Sequence, residues 1–587
     1  MVKFGKKKQK QRRYDENMAF TAADTIVFWI TFAAYLAMLA LIGVYSKKKT
    51  KSIQDFMVAN RSIGAVLTGL SYGATYFSAV LFIGCPGLTW MTGSQWMLVT
   101  LMNLSFGTFA AFVLLGNRTR RLSMHLGALT MPEMLAKRYQ DDKLLRPTAG
   151  IVLAVFQTIY LVSIFTGLSL LLQIMFPGTG KGAYYIACIL CGVITAIYLI
   201  IGGSHSAILS DLIESMMMLF AMLTIVLAGV AAAGGLGGLN ANIYTDIALG
   251  PDTIFQSNPD AWFLFPNAVS MSMIGMGLVT TFGTWGSPQM STRFFAAKNR
   301  RSIRYGMIIA CLWVFAVSFC SWFAGYVGRG QAIVGGSTLS LRTFATTLNG
   351  GTLPANWYEY TMPWLLSEAN IIPLWMAALF LAGTTAASLT TGEKLILVAG
   401  SAIARDFYQQ GIAAKKNISD EKTLKITRIS ILAIVGIAVL MAIFPPAMVL
   451  DLCMFSWASL NAFTLVPLIA GLYWKGGTKR AALISGLIAL GVAITWFMMF
   501  NPKWTTYGLP FIAYKPSTVI YPGQPVQIPI LITPWFSAKP GDIHEFIVSQ
   551  LVAIPAFFII SKIDKKGKPD RAFLDGIFKF MTANVEE

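Results

Sequence analysis

Thirteen apolar stretches divide the chain, at residues 22–45, 63–88, 94–116, 149–173, 184–202, 209–236, 263–292, 305–328, 371–403, 429–446, 448–474, 481–500 and 544–561. Each can cross a hydrocarbon layer about 30 Å thick, which takes roughly 20 helical residues at about 1.5 Å rise. No water inside a bilayer meets a bare N–H or C=O, so a crossing segment must satisfy its backbone within itself. The pattern predicts an all-α polytopic membrane protein with about thirteen transmembrane helices. Composition agrees: 12% of the 587 residues are charged, against about 25% in soluble proteins.

Lys and Arg number 46 against 26 Asp and Glu, a net charge of +20. In a soluble chain that excess would point to nucleic acid; here its placement reports orientation instead, and no nucleic-acid partner is expected. The connections after the odd-numbered segments, with the C-terminal tail, hold 32 Lys and Arg; those after the even-numbered segments hold 6. The basic side faces the cytoplasm, so the C-terminus is expected inside and the N-terminus outside a cell membrane. Lys3 through Arg13 place seven basic residues on the opposite side. Either that tail is translocated regardless or translation starts at Met18. No cleavable signal peptide is expected, because a full-length span without a cleavage site follows the basic start.

The expected organisation is a basic tail (1–21), one transmembrane domain (22–561) and a cytoplasmic tail (562–587), with 237–262 and 501–543 as ordered outer loops or lids. Cys85, Cys188, Cys191, Cys311, Cys320 and Cys453 lack zinc spacing and read as packed thiols. His125, His205 and His544 are scattered, and no loop carries a catalytic cluster, so an enzyme is not expected. A channel would need a continuous polar pore, whereas polar residues here concentrate at mid-depth. A non-transporting sensor of this kind stays open as an alternative, although it would normally need an output domain, for which the tail after Ser561 is short.

The ninth segment carries Glu393 and Lys394 in its interior. Lys394 lies eleven residues before Arg405, roughly 16 Å along a helix and near the midplane. Ala387, Thr390, Thr391 and Lys394 follow the spacing i, i+3, i+4, i+7 and share one face. Hydroxyls, small residues and a charge on one face suit traffic of a cation. The second segment (GLSYGATYFSAVLFIGCPG) and the seventh (SMIGMGLVTTFGTWGSPQM) are both interrupted by Gly and Pro. Each opens a run of five helices, and the odd count inverts one run against the other (63–236 and 263–474). Inverted halves that begin with broken helices are an architecture of secondary transporters, with the substrate and ions at the breaks.

On these residues the chain resembles the sodium:solute symporter family. The blocks that carry the resemblance are DFMVANRSIG (55–64), ATYFSAVLFIGCPG (74–87), GGSHSAILSDLIESMMML (202–219), GSPQMSTRFFA (286–296), AASLTTGEKLILVAGSAIARDFY (386–408) and FSWASLNAFTLVPLIAGLYW (455–474). The resemblance implies a leucine-transporter-like 5+5 inverted repeat with one extra N-terminal and two extra C-terminal helices. It further implies Na⁺-coupled import of a small organic solute by alternating access. The block at 74–87 is most like the pantothenate-type and small-carboxylate branch, so pantothenate, a monocarboxylate or proline are the expected solutes.

Carried over by motif, one Na⁺ would take the backbone carbonyls of Ala74, Phe77 and Ala387 and the hydroxyls of Thr390 and Thr391. Hard oxygen ligands suit that ion. Some members bind a second Na⁺ through an aspartate at the position of Asp211 and small hydroxyl residues at those of Glu393 and Lys394. This chain keeps the aspartate and loses both hydroxyls. One sodium site is therefore expected, with the Lys394 ammonium in place of the second ion, paired with Asp211 and with Glu393 as a further partner. A structural ion pair and a proton-coupled cycle through Lys394 and Asp211 are the alternatives. The solute is expected beside the two breaks, at Tyr76, Thr280, Thr284 and Trp285, whose rings and hydroxyls suit a small organic acid or a zwitterion.

Overall fold

Each apolar stretch is helical in a computed structural model, which describes Ala22 to Thr582 apart from 50–52, 177–180, 250–254, 257, 265–269, 334, 355, 369–370, 372–373, 413–418 and 501–542. The basic N-terminal tail, Met18 and the expected outer loop 501–543 (but for its last residue) therefore lie outside the described residues, as do the side chains of Thr390 and His205. Helix α1 is Ala22–Lys49. The second segment forms α2 (Ala65–Tyr76) and α3 (Ala79–Thr92), bent 54° at Phe77–Ser78. Next come α4 (Ser94–His125), α5 (Leu145–Met175) and α6 (Lys181–Ala232). The seventh segment forms α7 (Ser270–Gly286) and α8 (Pro288–Ala296). The rest are α9 (Arg300–Arg329), α10 (Leu374–Ser401), α11 (Asp420–Ile443), α12 (Val449–Tyr473), α13 (Lys479–Phe500), α14 (Glu545–Ile563) and a short α15 (Arg571–Thr582).

Among the described residues, eight helices are individually long and apolar enough to cross, or nine with α2 and α3 as one broken span. The fifth and sixth segments differ from expectation. The backbone stays helical across 203–208, where a loop was expected, and both segments belong to α6. The only β contact among the described residues is an isolated parallel bridge between Ile63, just before α2, and Ala297, just after α8. It ties the entry of one broken span to the exit of the other.

Both breaks have local causes. Phe77 and Ser78 adopt extended dihedrals, and the Ser78 hydroxyl caps α3 by accepting from the Val80 N–H at 3.3 Å. At the second break Ser287 is extended and Pro288, which has no N–H to leave unsatisfied, starts α8. All six cysteines are free thiols, buried except for the half-buried Cys311.

Charged clusters close the bundle at both ends. The expected outer loop 237–262 is largely a helix, Leu236–Leu249, which buries Asp246. Asp246 pairs with Arg329 at the end of α9 (2.9 Å) and accepts from the Thr338 N–H (2.7 Å) and hydroxyl (2.6 Å). Arg329 also donates to the Trp90 carbonyl at 2.8 Å. At the other end Glu133, in the short helix Met131–Tyr139, meets Arg405 (3.2 Å), Arg146 (3.5 Å) and Lys137 (2.9 Å). Arg146 in turn pairs with Asp406 at 2.8 Å. Burial works to raise the Glu133 pKa, but Arg405 and Arg146 hold it below its ordinary value. A depressed carboxylate contributes its full stability above the ordinary carboxylate value, so this cluster should weaken as pH falls from there through the lower folded pKa. Replacing Asp246 by Asn leaves Arg329 buried without its counter-charge, a change that costs about 3–5 kcal/mol. The expected outcome is a clear drop in the thermal midpoint of the purified protein, larger than for the exposed pair Lys475–Asp575.

Candidate functional site

The first break is built around one hydroxyl. Thr391 of α10 lies with its Oγ1 at 3.2 Å from the Ala74 carbonyl, 3.0 Å from that of Phe77 and 3.2 Å from that of Ala387. Helix α2 ends at Tyr76, and Leu81 N–H goes to Ser78, so the Phe77 carbonyl has left the helical ladder. A threonine has one proton to donate. Three carbonyls converging on it thus leave two acceptors and the hydroxyl oxygen facing one point, an arrangement that suits a hard cation. The four residues placed here belong to the expected sodium set; the fifth, Thr390, has its side chain outside the described residues.

One turn further along α10 lies a buried cluster of charge. Lys394 is ion-paired with Asp211 of α6, and both are essentially inaccessible, at 1% and 0% of their side-chain surface. Asp211 also accepts from the Ser71 hydroxyl, and Arg293 of α8 donates to the same hydroxyl at 3.0 Å while standing 3.8 Å from Asp211. The described ion pairs join Lys394 to Asp211 and not to Glu393, which is buried with Oε1 unpartnered among the described residues. Glu214, one turn after Asp211, accepts from Tyr35 of α1 at 2.8 Å. Ser71, Glu214, Arg293 and Tyr35 were not singled out by sequence. Charge inside a quoted block was the available signal for Glu214 and Arg293. A crevice lined by Met131, Pro132, Arg293, Lys394, Val398 and Ser401 leads from this pair towards the Glu133 cluster.

The four expected solute residues lie together on one seam against α4. The Tyr76 hydroxyl donates to the Thr280 carbonyl (2.8 Å) and lies 3.0 Å from Asn103 Oδ1, to which Thr280 also donates (3.0 Å). Thr284 donates to the Gly107 carbonyl at 3.0 Å and Trp285 Nε1 to the Phe106 carbonyl at 2.9 Å. Their polar tips serve packing of both broken spans on α4. The second break is held by α12, where Asn461 Oδ1 accepts from the Gly286 N–H (3.1 Å) and its amide donates to the Gly283 carbonyl (2.9 Å). Thr464 donates to the Gly286 carbonyl at 2.8 Å. Asn461 and Thr464 lie in a quoted block, and only three-dimensional contact reveals their role.

Residues 56–489 match the family model described as the sodium:solute symporter family. The chain belongs to this family. It is a sodium-coupled solute symporter, with Na⁺ as the coupling ion, and not an enzyme. The osmoregulated proline transporter of Bacillus subtilis is 25% identical, over 80% of this chain and 88% of its own. The sodium/pantothenate symporter of Escherichia coli is 26% identical, over 79% and 89%. A sodium/proline symporter of Staphylococcus aureus is 26% identical, over 92% and 95%. The solved structure of a Na⁺-coupled sialic acid symporter superposes on 92% of this chain and 98% of its own with a TM-score of 0.62 at 15% identity. That superposition shows the leucine-transporter-like fold of this symporter.

The buried pair of this symporter can be tested by a double-mutant cycle. Lys394→Met alone leaves Asp211 with Arg293 at 3.8 Å as its remaining cation, and Asp211→Asn alone strands Lys394. Each single change should lower the thermal midpoint strongly, and the double change should recover much of the loss, a coupling of about 1–3 kcal/mol. Additive losses would show that the two side chains do not act as a pair.

Proposed function

We propose that this symporter carries a small organic acid or zwitterion, of the proline or pantothenate kind, with one Na⁺ held at the first break. The observation that carries the reading is the convergence of the Ala74, Phe77 and Ala387 carbonyls on the Thr391 hydroxyl. Na⁺ would be coordinated by those carbonyls and that hydroxyl, with Thr390 as the further ligand that the family motif supplies. Lys394, paired with Asp211, would stand as a fixed charge where other members place a second ion. The solute class rests on the named relatives, which transport proline or pantothenate, and on the aromatic and hydroxyl character of the broken spans. Tyr76, Thr280, Thr284 and Trp285 would line its path along α4. The odd-numbered connections and the C-terminus would face the cytoplasm, so solute and ion would move inward together.

Energetics fit one ion and a neutral or zwitterionic solute. One charge across 100 mV is worth about 2.3 kcal/mol and a tenfold gradient about 1.4 kcal/mol. A zwitterion would use both. A monoanion with one Na⁺ is electroneutral and would use the chemical gradient alone. The crevice that reaches Lys394 favours a second reading, in which a proton on the Lys394–Asp211 pair joins the cycle. The deciding experiment is the thermal midpoint of the purified protein in NaCl against KCl at equal ionic strength, with Thr391→Ala beside it. An ion that binds only the folded state at 100 times its dissociation constant adds about 2.7 kcal/mol. The expected result is a Na⁺-specific rise that vanishes in Thr391→Ala. A Na⁺ response that survives the substitution overturns the ligand set, and no Na⁺ response with pH-driven uptake favours the second reading.

A further inference from the structure

We propose that the solute is recognised by an amide pair, Gln157 of α5 and Gln289 of α8, together with the indole N–H of Trp457 on α12. The ligand class is then a small carboxylate that carries an N–H or O–H donor close to it. The proposal rests on the symport reading above and adds the residues that choose the solute.

The two glutamines are fully buried, and Gln157 Nε2 donates to Gln289 Oε1 at 2.6 Å. That single bond joins α5 to the first turn of α8, two residues past the Ser287 break. It leaves Gln157 Oε1 and Gln289 Nε2 without partners among the described residues, and buried Trp457 Nε1 is in the same state. Reversing both amides exchanges the roles but still leaves one donor group and one acceptor unused. Buried polar atoms are rarely left unpaired in a packed interior, because the loss of water is then uncompensated.

The three atoms are linked through one residue to the other break. Tyr160 stands one turn after Gln157 on the same face of α5. Its hydroxyl reaches the Ser78 hydroxyl at 3.3 Å, and its ring packs edge-on against Trp457 at 5.7 Å. Gln157, Tyr160, Trp457 and Gln289 thus connect Ser78 at the first break with the start of α8 at the second.

The chemistry of the unused atoms names the ligand. Two N–H donors, from Gln289 and Trp457, complement the two oxygens of a carboxylate. The Gln157 carbonyl oxygen accepts from an amine, imine or hydroxyl on the same molecule. An amide pair has no charge with which to hold a cationic solute and too few groups for a sugar. A carboxylate that took the Gln289 amide would compete with the Gln157–Gln289 bond, so solute binding would loosen α8 from α5.

The test measures thermal shifts at saturating NaCl with L-proline, pantothenate and lactate. The methyl esters of the same acids, galactose and choline serve as contrasts. The expected result is stabilisation by at least one free acid and not by its ester. Gln289→Leu, Gln157→Leu and the ring-preserving Trp457→Phe should each weaken that acid about tenfold to a hundredfold, as expected for a lost hydrogen bond to a charged group. All three should keep the Na⁺-induced rise, which certifies that they fold. Unchanged affinity in Gln289→Leu and Trp457→Phe, an ester that binds as well as its acid, or no response to any of the acids would overturn the proposal. Failure of the sodium reading looks different, because the Na⁺ rise would then be missing while the acid response and its loss in the variants remained.

Discussion

A backbone in hydrocarbon must satisfy its own hydrogen bonds, and the two interruptions of this bundle are where that rule is suspended. What fills the freed groups differs between them. At the second break α12 supplies side chains: Asn461 and Thr464 cover the N–H and carbonyl of Gly286 and the carbonyl of Gly283. At the first break three carbonyls share the Thr391 hydroxyl. Among the described contacts, the first break sets three carbonyls against one hydroxyl, whereas each freed group named at the second has its own side-chain partner. That imbalance is what supports the proposed cation site between α2–α3 and α10, and it leaves the second break with a covered backbone and an amide side chain, Gln289, beside it.

Charge placement follows from the same low dielectric. Ion pairs at the two ends of the bundle, Arg329–Asp246 and the Glu133–Arg405–Arg146–Asp406 group, lie where helices meet connections. The Asp211–Lys394 pair stands in the interior of α6 and α10, and desolvation there is repaid only by dense partnership. Ser71 and Arg293 supply it from both broken spans. The cluster therefore fastens α2, α6, α8 and α10 to one another. A helix that moves in the transport cycle has to carry these contacts along or exchange them.

Fold class was legible because the bilayer imposes one length and one hydrogen-bonding solution on each crossing. The two breaks were legible as well, since Gly and Pro name them and matching places in the two runs distinguish them from ordinary packing glycines. The expected loop at 203–208 was not legible: GGSHS reads as a linker, yet the backbone stays helical. Propensity is a weak prior there against packing. Of the candidate site, Ala74, Phe77, Ala387 and Thr391 lie together around the Thr391 hydroxyl. The polar partners that hold it, Ser71, Asn461 and Thr464, gave no signal, because Ser, Thr and Asn in a helix look alike whether they bond their own turn or a neighbour. The seam of Tyr76, Thr280, Thr284 and Trp285 against α4 depends on Asn103, whose importance only the crossing of three helices makes visible.

The proposed ion site and the proposed solute site meet at two consecutive residues of the first break. Phe77 presents its carbonyl to Thr391, and the next residue, Ser78, is in contact with Tyr160. Both residues are extended: the Phe77 N–H still donates to the Gly73 carbonyl at 3.3 Å and the Ser78 carbonyl accepts from Leu81 at 3.0 Å, while the Phe77 carbonyl turns to the Thr391 hydroxyl. On the proposed reading, a cation bound by the Phe77 carbonyl would restrain the same two residues that the solute site needs in place. The ion would then meet part of the ordering cost of the break, giving positive cooperativity without direct contact between the two ligands. By reciprocity the solute would raise affinity for Na⁺ by the same factor. On the proposed reading, coupling would centre on one short unwound segment, with Lys394 held in its own pair with Asp211 one turn away on α10.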